Sequence, residues 1–228
     1  MNFLKGLIDL FFPEICIYCN QNLVKTEKII CTFCEAQLPV SDNESFTENK
    51  IIKSLWGRVN IEFAAYYLNF KKGGITQQIL HFLKYKNRKD IGIFYGKRLG
   101  FMIINEKFIK EVDYIVPVPL HKTKLRKRGY NQSAEISKGL CEVLKIPVLE
   151  NNLIRISNTQ TQTRKKRFER WTNVSTNFIV KNPALFEDKN LLLVDDVFTT
   201  GATIEACCQP LININNVKIG LVFLAVAG

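Results

Sequence analysis

Residues 191–203 read Leu-Leu-Leu-Val-Asp-Asp-Val-Phe-Thr-Thr-Gly-Ala-Thr, and this string holds the densest chemistry in the chain. Asp195 and Asp196 are adjacent carboxylates that can accept hydrogen bonds from a diol. Val197, Phe198, Thr199, Thr200, Gly201, Ala202 and Thr203 follow as a loop with three hydroxyls and a glycine that lets backbone N–H groups approach a ligand closely. A helix is expected to start at Ala202, and N–H groups at a helix start favour anions. A lone Asp-Asp reads as a strand-end turn, and a lone Thr-Gly as a loop with a helix cap. The ordered string instead points to a ligand that carries both a diol and a phosphate.

A second constellation is made of cysteines. Cys16 and Cys19 form one Cys-x2-Cys knuckle and Cys31 and Cys34 another, eleven residues apart. Each knuckle offers two thiolates from one turn, and two knuckles complete the closed tetrahedral set of four thiolates that structural Zn²⁺ prefers. A redox Cys-x2-Cys is the alternative, but residues 16–34 do not read as a βαβ unit. About forty residues bury little core, so a bound metal would supply folding energy there. Cys141, Cys207 and Cys208 lie in apolar helical contexts and read as core or free thiols.

Two basic stretches complete the inventory. Residues 120–133 carry five cations and no acid, ending in Arg128-Gly-Tyr-Asn-Gln132, and residues 161–170 carry five cations and one acid. Both read as loops outside the helices. Such runs are usually solvated faces, but arginine can fork two donors onto one phosphate, so Lys122, Arg126, Arg128 and the stretch from Arg164 to Arg170 are candidates for holding an anion.

The elements that must place these groups follow from periodicity. Strands are expected at 61–70, 113–119, 191–194 and 217–224, with helices at 75–85, 92–105, 132–144 and 202–211. Strands alternating with helices imply a parallel α/β sheet. Ligands of such sheets bind outside the carboxyl ends of the strands, where Asp195 and Asp196 fall. The 228 residues fit a small module over 1–45, with an N-terminal helix and the cysteines, and one larger domain over 46–228. With 46% hydrophobic and 23% charged residues a packed core is expected rather than disorder. The net charge of +11 favours an anionic partner such as a nucleotide, nucleic acid or membrane surface. No stretch approaches the roughly 20 apolar residues of a membrane span. Residues 1–15 carry Phe3, Leu4, Leu7, Ile8, Phe11 and Phe12 at helical spacing, which reads as a short amphipathic helix rather than a signal peptide. The metal-type cysteine pattern fits a reducing, cytoplasmic setting.

The string at 191–203 closely resembles the ribose-phosphate signature of type I phosphoribosyltransferases. The chain as a whole resembles the ComF family of competence-associated, phosphoribosyltransferase-like proteins. The resemblance rests on the four cysteines, Val116-Pro-Val-Pro119, Arg128-Gly-Tyr-Asn-Gln132, the Asp-Asp string, and Gln162, Arg170, Asn173 and Phe178 in the family's order. Lys165 stands where an aliphatic residue is expected. The resemblance implies a type I phosphoribosyltransferase-like parallel sheet flanked by helices, and phosphoribosyl pyrophosphate bound with Mg²⁺. Asp195 and Asp196 would hold the ribose hydroxyls, residues 199–203 the 5′-phosphate, with Val197 and Phe198 also counted among the substrate-binding residues, and Lys122, Arg128 and Arg170 the rest of the anion. A nitrogen acceptor of unknown identity would be read by a small hood at 57–89. The family further implies a role in DNA uptake beside a helicase-like partner. A different reading stands next to this one: a non-catalytic protein that binds single-stranded DNA, with Tyr85, Tyr95 and Tyr130 as stacking platforms.

Overall fold

The structure is a computed structural model and describes residues 13–42, 45–156 and 177–227. Four strands make one sheet in the order β1-β6-β5-β2, with β1 at Phe63–Phe70, β2 at Tyr114–Pro117, β5 at Asn190–Phe198 and β6 at Lys218–Ala227. Every pairing in it is parallel. The two central strands, β5 and β6, are the near-continuous apolar runs that burial on both faces demands. A separate antiparallel hairpin joins β3 (Leu153–Arg155) to β4 (Phe178–Val180).

Two apolar layers cover the sheet. Against one face lie α3 (Ile75–Tyr85), α4 (Lys89–Ile103) and α7 (Gln132–Leu144), which pack Ile79, Leu83, Tyr95, Leu99, Ile136 and Leu140 on Leu192, Val194, Val222 and Leu224. The short helix α1 (Thr32–Ala36) and the cysteine knuckles join this layer. The opposite face receives α2 (Lys50–Leu55), α8 (Ala202–Cys208) and the hairpin, with Leu55, Cys207, Cys208, Leu153 and Phe178 on Leu191, Leu193, Leu221 and Phe223. A four-residue helix, α5 (Lys107–Lys110), leads into β2.

The contact between α4 and α7 fixes where the site stands. Gly92, Gly96 and Gly100 recur every fourth residue on α4, so they form one stripe facing α7. A Cβ on Gly96 would lie 2.2 Å from the Ile136 carbonyl oxygen, and one on Gly139 of α7 would lie 2.2 Å from that of Ile93. The backbones therefore touch, and only glycine permits it. At the start of α7, Asn131 caps the helix by accepting from Ser133 N at 3.2 Å and donates Nδ2 to Val118 O at 3.0 Å. That second bond pins the helix start to the carboxyl end of β2.

Both sheet edges are covered. Val40 bridges Leu68 in antiparallel fashion, with Ser41 N donating to Tyr67 O and Asn69 N to Pro39 O, each at 2.8 Å. On the β2 side, Ile115 N donates to Pro147 O at 2.9 Å and Leu149 N to Ile115 O at 2.8 Å.

The helices expected at 75–85 and 132–144 have those bounds, and the one expected at 92–105 spans Lys89–Ile103. Other expectations need correcting. Residues 120–133 are not all loop, because Lys122–Arg128 form α6. The His121 ring accepts from Thr123 N, Gly129 closes the helix at φ +79°, and Arg126, Lys127 and Arg128 suit the negative end of the helix dipole. Residues 57–89 are not a hood, since they hold β1, an integral strand of the sheet, and α3, which covers it. Strand β5 continues four residues past Val194. Among the described residues no helix is long and apolar enough to cross a membrane. The expected amphipathic turns of residues 1–12, Arg170, and the rest of the basic stretch at 161–170 lie outside the described residues.

Candidate functional site

Strand β5 loses its β2 neighbour after Val194, which pairs with Pro117, but keeps β6 through Phe198. Asp195 and Asp196 thus stand beside β6 at the point where β2 has ended, a notch in the carboxyl edge of the sheet. Adjacent strand residues project to opposite faces, and the two aspartates have different partners. Asp195 Oδ1 accepts from Ser133 Oγ at 2.8 Å and from Asp196 N at 2.8 Å. Asp196 Oδ2 lies 3.1 Å from Lys84 Nζ, at the last turn of α3. Burial, and then the negative charge of Asp196, push Asp195 up to about 7, while the Ser133 hydroxyl, the Asp196 N–H and Lys84 pull it down. A carboxyl with these neighbours shares a proton near neutral pH and gains from a ligand that donates hydrogen bonds to it.

The loop after the strand divides its labour. Phe198 is buried and stacks edge-on with Phe223 at 5.2 Å, so its side chain is an anchor, and Val197 is half-buried. Thr199, Thr200, Ala202 and Thr203 are exposed, whereas Gly201 is buried at φ +80°. A Cβ on Gly201 would come within 2.9 Å of Leu55 Cδ2. The turn is therefore glycine-dependent twice, by φ and by space. Arg58 frames it from outside. It pairs with Glu205 of α8 at 2.7 Å, reaches Thr200 O at 3.5 Å, and donates to Ser54 O.

On the other side of the aspartates, Arg128-Gly-Tyr-Asn-Gln132 folds back onto the end of α3. The Tyr130 hydroxyl donates to Leu83 O, and Arg128 lies over the Tyr85 ring at 5.3 Å. Arg128 also donates to Gln132 Oε1 at 2.7 Å. Gln132 is 1% exposed, and its Nε2 is a buried donor with no partner. Lys122 sits exposed on the first turn of α6. Arg128 turns inward from the last turn, and Lys122 has no polar partner among the described residues.

The cysteine module carries its own geometry. The sulfurs of Cys16, Cys19, Cys31 and Cys34 all lie within 4.8 Å of one another, and Cys19 and Cys31 are 3.6 Å apart. A tetrahedron with Zn–S bonds of about 2.3 Å needs edges of about 3.8 Å, so the set fits that ion. At Cys16, burial raises the thiol, but backbone N–H groups outweigh it and lower the value to about 7. Burial and the three neighbouring thiols push Cys34 far up. Four thiolates can coexist there only around a cation. The module is fastened to the sheet domain by Arg98 of α4, which pairs with Glu35 and donates to Tyr67 Oη at 3.2 Å.

No family model matches the chain. Competence protein F of Haemophilus influenzae is 27% identical over 213 residues, covering 86% of this chain and 89% of that protein. Competence protein ComFC of Bacillus subtilis is 27% identical over 203 residues, covering 87% and 78%. Over most of its length the chain is similar to these competence proteins of the ComF type. DNA utilization protein YhgH of Escherichia coli K12 is 27% identical over 137 residues, 59% of this chain and 60% of that protein. Among solved structures, a hypothetical protein from Neisseria gonorrhoeae with bound ppGpp aligns at 17% identity over 60% of this chain and 68% of that one, with a TM-score of 0.38. Purine phosphoribosyltransferase from Pyrococcus horikoshii aligns at 18% identity over 58% and 74%, with a TM-score of 0.36. Both scores are too low to bear on the site.

The structure adds three residues to the site that the sequence did not offer. Ser133 and Lys84 each contact one aspartate, and Arg58 braces the Thr-Thr-Gly turn. Lys84 had a readable cue, a lone cation ending an amphipathic helix just before a Tyr. Ser133 and Arg58 had none beyond their neighbours.

Proposed function

We propose that this protein binds phosphoribosyl pyrophosphate at the carboxyl edge of β5. The observation that supports it most is the meeting, on one strand end, of two hydrogen-bond-accepting carboxylates and a left-handed glycine turn with exposed threonines. The carboxylates take the ribose diol. The turn offers its N–H and hydroxyl donors to the 5′-phosphate. Mg²⁺, an oxygen-seeking ion, would arrive with the diphosphate beside Asp195 and Asp196 and would supply charge neutralisation for the leaving group. The reaction this suits breaks the bond from ribose C1 to the pyrophosphate oxygen and forms one to a nitrogen of an acceptor. The paired carboxylates orient the sugar, and their negative field favours positive charge on the ring. Arg128, half-buried beside Gln132, is the cation we assign to the departing anion. In the cysteine module, Zn²⁺ is the ion we assign to the four thiolates.

The relatives' names concern competence and DNA utilization. We take this chain to work in the cytoplasm, on incoming DNA, in company with a helicase-like protein. A second reading, direct binding of single-stranded DNA, draws support from the exposed cations of α6, Lys122, Lys124, Arg126 and Lys127. It loses two of its three stacking platforms, since Tyr95 is 0% and Tyr130 5% exposed, and only Tyr85 stands open at 59%.

Calorimetric titration with phosphoribosyl pyrophosphate and Mg²⁺ tests the first reading. Binding by the wild type that is lost in Asp195→Asn/Asp196→Asn, while the double variant still melts cooperatively, supports it. Equal affinity in the two proteins refutes the ribose assignment. Pyrophosphate release in a screen of bases, nucleosides and DNA then identifies the acceptor.

A further inference from the structure

We propose that Lys84 binds the diphosphate of the phosphoribosyl ligand, with Asp196 aiming its ammonium. This deepens the reading above and rests on it.

The ion pair between Lys84 and Asp196 spans 3.1 Å, and the two side chains are only 22% and 14% exposed. Withdrawing a lysine and an aspartate from water this far costs more than a surface pair does, and a buried pair is weak evidence for stability alone. Its position suggests what else it serves. Lys84 belongs to the last turn of α3, next to Tyr85, whose ring carries Arg128, and next to Leu83, whose carbonyl accepts from Tyr130. One helix end therefore brings a lysine and an arginine to the same side of the aspartates, and Lys89 stands over the Tyr130 ring at 5.4 Å. The buried, unpartnered Nε2 of Gln132 adds a donor beside Arg128. An ammonium has three donors, and among the described residues Lys84 spends one, on Asp196.

Ligand chemistry makes the same demand. The diphosphate hangs from C1, next to the hydroxyl on C2. A carboxylate that holds the ribose diol therefore stands within a few ångströms of the first phosphate. A cation 3.1 Å from that carboxylate is close enough to reach both. Lys84 then recognises the charged leaving group, not the sugar.

The test compares three ligands on the full chain at fixed Mg²⁺: phosphoribosyl pyrophosphate, inorganic pyrophosphate and ribose 5-phosphate. Calorimetry is run on wild type, Lys84→Gln and Lys84→Arg, with thermal melts as the folding control. Lys84→Gln is expected to weaken phosphoribosyl pyrophosphate and pyrophosphate by at least about tenfold and to leave ribose 5-phosphate within about twofold. Lys84→Arg keeps the charge, guards against a folding defect, and is expected to recover most of the loss. Equal losses for all three ligands would mean that Lys84 merely shapes Asp196, and no loss for any would mean that it touches none; either result overturns the assignment. Wild type that takes pyrophosphate through Lys84 but ignores ribose 5-phosphate would keep the assignment while sinking the phosphoribosyl reading. Wild type that takes none of the three sinks both.

Discussion

Ser133 donates its hydroxyl to Asp195 across 2.8 Å, so the first turn of α7 and the carboxyl end of β5 share one hydrogen bond. The bond joins segments 62 residues apart in sequence and makes the aim of Asp195 depend on the seating of a helix. Ser133→Ala removes it and leaves a deeply placed carboxylate with only its neighbour's N–H. We expect a stability loss of about 1–3 kcal/mol in urea unfolding together with weaker phosphoribosyl pyrophosphate binding. Full affinity in the variant would show that Asp195 needs no such tether.

Asp195 should also leave a mark on pH dependence. Its folded value, raised from 3.8 to about 7, lies above the unfolded one. Its contribution to stability is then fully present below pH 4 and is lost as pH rises through about 7. Asp195→Asn cannot titrate, so the unfolding free energy of the variant minus that of wild type should grow between pH 4 and 8. Chemical denaturation across that range measures the difference, and a flat or falling curve contradicts the environment assigned to Asp195.

The glycine seam offers a graded test. In Gly139→Ala the new methyl meets the Ile93 carbonyl oxygen at 2.2 Å, a backbone atom that cannot step aside. In Gly100→Ala the nearest atom is Val143 Cβ at 2.8 Å, also fixed by its backbone but 0.6 Å farther off, so the helices need to part less. We expect Gly139→Ala to cost about 3 kcal/mol or more and Gly100→Ala clearly less. Because α7 carries Ser133, Gly139→Ala should weaken the ligand as well.

For the cysteine module, elemental analysis of purified protein should find about one zinc per chain, and Cys16→Ser/Cys19→Ser should release it. The variant should melt lower by on the order of 5 °C, with the loss transmitted through the Glu35–Arg98–Tyr67 link. Wild-type protein without metal would remove the zinc assignment.

How far the chain could be read in advance depended on whether each signal was local. Helices α3 and α7 were visible because Ile79, Leu80 and Leu83, and likewise Ile136 and Leu140, repeat at the helical period and face one layer. Helix α6 was invisible because it buries nothing: its single apolar residue, Leu125, is 41% exposed, and the helix rests on its caps and its charges. The stripe at Gly92, Gly96 and Gly100 was present in the sequence, yet its partner Gly139 is brought to it only by the packing of α7 on α4. Asp195, Asp196 and the Thr-Thr-Gly turn stood out because they are contiguous. Ser133 and Arg58 reach the same place through contacts that no spacing encodes, and Lys84 carried only the cue of a cation at the end of an amphipathic helix. The tyrosines misled for a related reason, since a ring beside a cation looks the same in sequence whether it faces water or, as Tyr95 does, the core.

The backbone at Pro39, Val40 and Ser41 occupies the outward N–H and C=O groups of β1 near Tyr67, Leu68 and Asn69. Stripped of everything before residue 46, β1 would keep Ala64 paired with Phe46 and Asn49 but would bare its edge at Tyr67, Leu68 and Asn69, and bare strand edges recruit foreign strands. The small four-cysteine region is thereby also a guard against self-association, and a shortened version made to isolate the pocket would be the version most prone to clump.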